Sequence, residues 1–238
     1  MRPAASFAFF ALLMYAFQAV AVSGVITNLS GAVVAKREDG QSRILSLKSA
    51  VNEGDLVATA DNSYARLKFS DGGEVVLRPN TQLKIEAYKY EEKRPEADNM
   101  VMSLIKGGLR SVTGALGRRN PALFRLATPN ATIGIRGTHF GALFCNSDCA
   151  GVPMPGGGTP PNGLHVDVAD GAIVVSTQAG SAEFRVGQLG FVSSPTTPPV
   201  VVPAQQGVRV TLPPQALSSP VQGGVTGKGG GLECAIGK

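Results

Sequence analysis

Cysteine and histidine are the residues of this chain whose types and spacing could support metal binding, disulfide formation or nucleophilic catalysis. Cys145 and Cys149 lie four positions apart in a polar segment. This spacing excludes a redox-active CxxC motif, but it allows a small disulfide loop in an oxidising compartment. Two free thiols are the alternative, because so short a loop must meet a strict Cα–Cα spacing. His139, His165 and the distant Cys234 do not cluster with them, so the sequence predicts no metal site and no cofactor.

Motifs of known enzyme families do not occur in the chain. It contains no GxSxG, no HExxH and no cysteine in a recognisable arrangement with a histidine. A pair of carboxylates that hydrolyses a cell-wall polysaccharide is defined by its separation in space, so such an enzyme stays open as an alternative. The sequence favours a protein without enzymatic activity. His165 lies in an alternating segment, and we expect it to be an outward-facing polar residue.

Basic residues are concentrated in residues 100–137, which contain no Asp or Glu. Such a block could attract an anionic polymer or an acidic face of another envelope protein. The alternative is that its cations point separately into solvent. Nucleic acid is not expected as a partner, because Phe124 is the single aromatic residue of the segment and a base-stacking platform is missing. The candidate residues for an anionic partner are Lys106, Arg110, Arg118, Arg119 and Arg125.

The elements that position these residues follow from length and composition. The chain has 238 residues, of which 43% are hydrophobic, 16% are charged and 6% are aromatic, and it contains 30 Gly and 16 Pro. This length can bury a core, and the low charge excludes a highly charged disordered chain. The composition is typical of a compact β protein with many glycine turns.

The first 21 residues are interpreted as a secretory signal peptide. Arg2 precedes an apolar run over residues 7–17, and Ala19 and Ala21 supply the small residues before a cleavage site. A retained membrane anchor is the alternative, but the run is shorter than the roughly 20 residues that span a bilayer. We therefore expect a periplasmic or secreted protein with no transmembrane segment after cleavage.

Short strands follow one another along the rest of the chain. Residues 65–69 and 82–88 alternate in polarity, and Asp-Gly or Gly-Asp turns separate many of the segments. We predict an all-β domain with a β-solenoid-like or roll arrangement, and a two-sheet β-sandwich is the alternative. The predicted domain covers residues 22–193. It includes a polar excursion at 89–99 and a Gly/Pro-rich insertion at 150–163, and a Pro/Gly-rich flexible tail at 194–238 follows it.

Six short motifs, in this order, resemble those of the FecR-domain family. They are GDLVAT at 54–59, LKFSDG at 67–72, LRPNTQL at 77–83, KGGLR at 106–110, TPNAT at 128–132 and IRGTHF at 135–140. The resemblance covers roughly residues 25–192. The family's namesake is an inner-membrane regulator of ferric citrate uptake, whose cytoplasmic segment controls a sigma factor and whose periplasmic domain contacts an outer-membrane transporter. Here a signal peptide directly precedes the domain, so we expect a free-standing exported member.

Structural roles are expected for most residues of these motifs. Asp71 is suited to an Asx-type turn, and Gly137 to a turn that needs positive φ. Arg136 is expected to cap the carbonyls of neighbouring turns, with Asp71 as a possible partner, and anion binding is the alternative.

The resemblance and the composition together leave three functional hypotheses. The first is an exported, non-enzymatic binding or scaffold module of the bacterial cell envelope, with an envelope protein or an anionic polymer as its partner. The second is a signalling component related to TonB-dependent iron uptake and sigma-factor regulation that acts through a separate membrane protein. The third is an unrecognised enzyme that acts on the cell wall.

Overall fold

The computed structural model describes residues 22–212. The predicted signal peptide at 1–21, and the part of the predicted tail after residue 212, lie outside these described residues. Short strands make up most of the described chain, as the alternating segments predicted. The first strands are β1 (Val22–Ser30), β2 (Val33–Lys36), β3 (Ser42–Ile44), β4 (Ala50–Asn52), β5 (Leu56–Thr59), β6 (Tyr64–Phe69), β7 (Glu74–Leu77) and β8 (Gln82–Lys89).

The second half of the domain contains three long strands. Its elements are β9 (Asn99–Val112), helix α1 (Ala115–Arg119), β10 (Phe124–Ala127), β11 (Thr132–Cys145), β12 (Gly163–Thr177), β13 (Gly180–Arg185), β14 (Leu189–Val192) and β15 (Val200–Val202). Short 3₁₀ turns lie at Pro95–Ala97 and Pro121–Leu123. The described chain has no helix long and apolar enough to cross a membrane.

Strands β9, β11 and β12 each take part in two sheets. In the first sheet the order is β3-β2-β5-β8-β9-β10-β11-β12-β13, and it uses the first parts of β9 and β11 and the second part of β12. In the second sheet the order is β4-β1-β6-β7-β9-β11-β12-β14-β15, with the other parts of the long strands. The hydrogen bonds therefore form one continuous network that bends at the three shared strands.

Glycines with positive φ lie at these bends. Gly107 in β9, Gly137 in β11 and Gly171 in β12 have φ values of 77°, 61° and 72°. The bends of β11 and β12 lie against each other, since a Cβ on Gly171 would lie 2.0 Å from the carbonyl oxygen of Gly137. Glycine is needed here because it adopts positive φ without a steric penalty and allows backbones to approach closely.

One hydrophobic core unites the two sheets. A single buried cluster contains Ile26, Leu67 and Phe140 from the second sheet together with Leu83 and Leu126 from the first. Their burial is the main source of stability, at about 1.5–3 kcal/mol for each large apolar side chain. The all-β prediction is confirmed, but the structure does not show the stacked coils of a β-solenoid. Bent strands shared by two sheets place the apolar face of each sheet on a common core instead.

The ordered domain extends beyond its predicted end at residue 193. Strand β15 pairs with β14, and residues 203–212, which we call the strap, then cross the outer face of the second sheet. Val208 and Val210 of the strap are buried. The prediction of a flexible tail is therefore wrong for the described residues 194–212, because their alternating apolar side chains cover the sheet.

Candidate functional site

The predicted basic surface is distributed over different elements of the fold. Lys106 and Arg110 lie on β9, Arg118 and Arg119 end helix α1, and Arg125 lies on β10. Because β9 changes sheets at Gly107, its two cations belong to different sheets. The structure therefore does not bring the five residues into one patch.

Arg110 lies beneath the strap, and its side chain is only 13% exposed. Its Nη1 donates hydrogen bonds to Asp167 Oδ2 and to the Val210 carbonyl oxygen, both at 2.9 Å. Its Nε donates to Nε2 of His139 at 3.1 Å, and burial, followed by the charge of Arg110, lowers the pKa of His139. The prediction of a partner-facing Arg110 is wrong, because a buried carboxylate and a carbonyl of the strap already bind its guanidinium.

Arg119 holds the polar excursion at 89–99 against the domain. Its Nε and Nη2 donate to the two carboxylate oxygens of Asp98, each at 2.7 Å, and this pairing lowers the pKa of Asp98. Further hydrogen bonds reach the carbonyl oxygens of Glu91 and Glu92, and the guanidinium lies 4.8 Å from the ring centre of Tyr90. Most donors of Arg119 are thus already used within the protein.

Lys106 and Arg118 are more exposed but also have internal partners. The Lys106 Nζ lies 3.5 Å from Asp148 Oδ2. Nη1 of Arg118 donates to the Thr113 carbonyl oxygen at 2.6 Å. Both side chains are exposed to solvent. Neither is part of a cluster of unpaired cations.

An open depression of about 510 Å³ on the outer face of the first sheet contains the remaining cations; we call it the Gly134 trough. Exposed Arg125 makes no ion pair with residues 22–212, and the 68% exposed side chain of Arg136 lies 3.4 Å from Glu183. A Cβ on Gly134 would meet no atom closer than 3.9 Å, so the floor is open. The lining is Asn120, Pro121, Ala122, Phe124, Arg125, Thr132, Gly134, Ile135, Arg136, Val174 and Ser176, without a carboxylate.

Asp71 and Arg136 are not partners. Asp71 Oδ1 accepts from the Gly73 amide at 3.0 Å in an Asx-type turn, and Oδ2 accepts from the Leu116 amide at 3.2 Å at the start of helix α1. The predicted capping role of Arg136 is wrong, because its exposed side chain pairs with Glu183 and makes no hydrogen bond to a turn carbonyl within residues 22–212. Gly137, beside it, has the positive φ that its place in the bend requires.

Cys145 and Cys149 form a disulfide with a Cα–Cα distance of 5.5 Å. Both are buried and pack with Val208 and Val210 of the strap. Cys234 lies outside the described residues. Within residues 22–212, no group of three or more His, Cys, Asp and Glu side chains could hold a metal ion.

His165 does not face outward as expected. It is 1% exposed, its Nε2 lies 2.8 Å from the Pro161 carbonyl oxygen, and its ring lies 4.8 Å from that of Phe191. Burial lowers its pKa. The pattern predicted an outward-facing His165, but the Phe191 side chain of β14 and Pro161 of the insertion contact its ring.

An ion pair between half-buried Arg43 and buried Asp55 near the start of the FecR-like motifs was not predicted from the sequence. Asp55 is fully buried, and Arg43 binds both of its carboxylate oxygens. Asp55 Oδ2 also accepts from the Asn52 amide at 2.8 Å. The Gly-Asp turn indicated the bond to the backbone, but no spacing in the sequence indicated the arginine.

The fold and these contacts define a β domain whose two sheets share three bent strands. We recognise no catalytic group among its described residues. Residues 55–152 match the family described as FecR protein, so the resemblance is confirmed over that segment. No curated protein sequence matches the chain.

Two crystal structures are similar to part of this chain. Both are described as "a putative anti-sigma factor from Parabacteroides distasonis ATCC 8503", at 1.65 and 2.50 Å resolution. They are 13% and 14% identical to this chain, with TM-scores of 0.46 and 0.47. Each match covers 63% of this chain and 60% of the solved one, so the similarity spans less than two thirds of those structures.

Proposed function

We propose that this chain is an exported, non-enzymatic binding module of the bacterial cell envelope, and that the Gly134 trough is its partner-binding surface. The observation that carries the proposal is an open depression between two exposed arginines. Its lining contains no carboxylate, and Glu183, which lies 3.4 Å from Arg136, is outside that lining. The partner with the matching chemistry is an acidic segment of another envelope protein.

The geometry of the trough favours a protein segment as its partner. Arg125 and Arg136 present planar guanidinium groups, which bind carboxylates through two parallel hydrogen bonds. Pro121, Ala122 and Val174 add apolar surface between the charges. An acidic segment with one apolar side chain would use both features, whereas a simple polyanion would use only the charges.

Export is supported by two features of the chain. The apolar run near the amino terminus is typical of a secretory signal peptide. The Cys145–Cys149 disulfide is typical of an oxidising compartment.

The experiment is cross-linking of the tagged chain in intact cells, followed by mass spectrometry and by binding of the identified partner in vitro. Binding should weaken as salt concentration rises and should be lost in the double variant Arg125→Glu/Arg136→Glu. The matched control, Lys36→Glu/Lys68→Glu, changes the net charge equally at exposed lysines on strands β2 and β6. Equal binding by the two double variants would contradict the role of the trough.

A regulatory assembly is the second proposed setting, and the FecR domain supports it. In this setting the chain is a signalling component that acts through a separate membrane protein. The neighbouring genes should then include a sigma factor or a TonB-dependent transporter. Deletion of the gene should change expression of that transporter, and unchanged expression would contradict this setting while leaving the binding proposal intact.

A further inference from the structure

A second cavity, of about 240 Å³, lies between the turn after β7, the bend at Gly107 and the disulfide loop. We call it the Arg78 cavity. Its lining residues are Asp61, Asn62, Arg78, Pro79, Asn80, Gly107, Leu143, Asp148, Cys149, Gly151 and Val152. The Gly134 trough shares none of these residues, so the two depressions are separate.

Arg78 carries a guanidinium that the described protein leaves unpaired. Nη1 is shut off from solvent and has no hydrogen-bond partner. Within residues 22–212 the side chain makes no ion pair, and burial lowers its pKa. Arg78 is half-buried, and arginines that are largely removed from water are usually paired in proteins. Arg78 lines the cavity, so an anion bound there could supply the counter-charge that its guanidinium lacks.

The backbone of Arg78 is fixed in place. Its amide donates to the Gly108 carbonyl oxygen at 2.9 Å, and its carbonyl oxygen accepts from the Thr59 hydroxyl at 2.6 Å. The side chain passes over Gly108, where a Cβ would lie 3.4 Å from the Arg78 Cδ. The backbone and the Cδ of Arg78 are therefore held beside the cavity, which leaves fewer side-chain torsions to be ordered on binding.

The other charges around the cavity restrict the ligand. Asp148 lies 3.5 Å from the ammonium of Lys106, so these two charges balance each other. Asp61 is exposed at the rim, and its Oδ1 accepts from the Asn80 amide group at 2.7 Å. Arg78 and Asp61 remain as one positive and one negative group. A bound dianion would give the cavity an excess of negative charge. A ligand with one positive and one negative group would keep the cavity neutral.

We propose that the Arg78 cavity binds a small zwitterionic amino acid, with its carboxylate on Arg78 and its ammonium on Asp61. The cavity is smaller than the roughly 300–1,000 Å³ of pockets for drug-sized ligands, which fits a molecule of a few heavy atoms. Nε and Nη2, the Arg78 nitrogens that are not shut off from solvent, supply two parallel donors that match a carboxylate. This site does not depend on the Gly134 trough or on its partner.

The test is titration of the ¹⁵N-labelled full chain with glycine, β-alanine and γ-aminobutyrate, followed by amide chemical shifts. At least one of them should give saturable shifts at Asn80, Gly107 and Gly151, at a lower concentration than acetate, methylammonium or inorganic phosphate. Failure of all three amino acids to saturate overturns the proposal. Tighter binding of phosphate or acetate than of every amino acid also overturns it.

Variants separate the roles of the two charges. Arg78→Gln should abolish saturation, and Arg78→Lys should weaken it because the second parallel donor is lost. Asp61→Asn should keep acetate binding but remove the preference for the amino acid, and it remains informative if Arg78→Gln does not fold. The control, Asp39→Asn, changes an exposed carboxylate away from the cavity and should bind normally. If Asp61→Asn still prefers the amino acid to acetate, the proposed site is contradicted. The double variant Arg125→Glu/Arg136→Glu should bind the amino acid normally.

Discussion

Arg110 and Asp167 form an ion pair across the second sheet, with 2.9 Å between Nη1 and Oδ2, and the strap closes over it. The same two side chains bind the strap, since Arg110 donates to the Val210 carbonyl oxygen and Asp167 Oδ1 accepts from the Val210 amide at 3.0 Å. Gly141 leaves the room for this contact, because a Cβ there would lie 2.2 Å from Asp167 Oδ1. The pair therefore joins the end of the described chain to the domain.

Asp167→Asn should destabilise the protein by about 3 kcal/mol, since removal of one partner leaves a buried charge uncompensated. Urea unfolding measures this change, and hydrogen exchange at Val210 should become faster as the strap loosens. Asp170→Asn is the matched control because Asp170 is exposed on the same strand. Equal midpoints for the two variants would show that the strap does not depend on the pair.

The domain itself was predictable because strand patterns are local. Ala65, Leu67 and Phe69 alternate with cationic residues in the sequence, and all three are buried in β6. Side chains alternate between the two faces of a strand, so a few neighbouring residues are enough to reveal which face is buried.

The strap was missed although Val208, Val210 and Leu212 also alternate. Its hydrogen bonds at Val210 go to side chains of the sheet and not to a paired strand. The surrounding residues are rich in Pro and Gly, which predicted a tail. The alternation was the one signal that could have indicated burial of this segment.

The candidate site was less predictable because ion pairing is not local. Arg110 pairs with a carboxylate 57 positions away, and Arg119 with one 21 positions away. The sequence of residues 100–137 shows how many cations the segment contains, but it does not show which carboxylates they pair with. For this reason the sequence could not separate Arg110 and Arg119 from Arg125, which stays exposed in the trough.

Reduction of the Cys145–Cys149 disulfide should lower stability by about 2 kcal/mol, because a short loop gains limited freedom in the unfolded chain. The double variant Cys145→Ser/Cys149→Ser should show a loss of at least this size, since both side chains pack against the strap. Urea unfolding with and without a reductant measures the effect, and the double variant should no longer respond to the reductant. If the reductant does not change the stability of the unmodified chain, the disulfide does not contribute to the stability of the fold.

Acid should destabilise the protein through His139 and His165, whose pKa values burial lowers in the folded state. A lowered folded-state pKa means that the unfolded chain binds the proton more readily. Stability is therefore complete above the unfolded pKa of about 6.5 and decreases as the pH falls below it. Urea unfolding at a series of pH values measures the loss, and NMR titration of the imidazole protons assigns it. Normal pKa values for both rings would contradict their burial.

Three glycines of the shared strands, two of them at the bends, give a series of variants. Gly134→Ala should change stability little, because its Cβ finds open space and its backbone is extended within β11. Gly137→Ala should cost about 1–2 kcal/mol, since it has positive φ but no close neighbour. Gly171→Ala should cost more than either, because it combines positive φ with a Cβ only 2.0 Å from a carbonyl oxygen. Thermal or urea unfolding gives the ranking. A Gly171→Ala protein as stable as Gly134→Ala would mean that the two sheets do not bend together at this point.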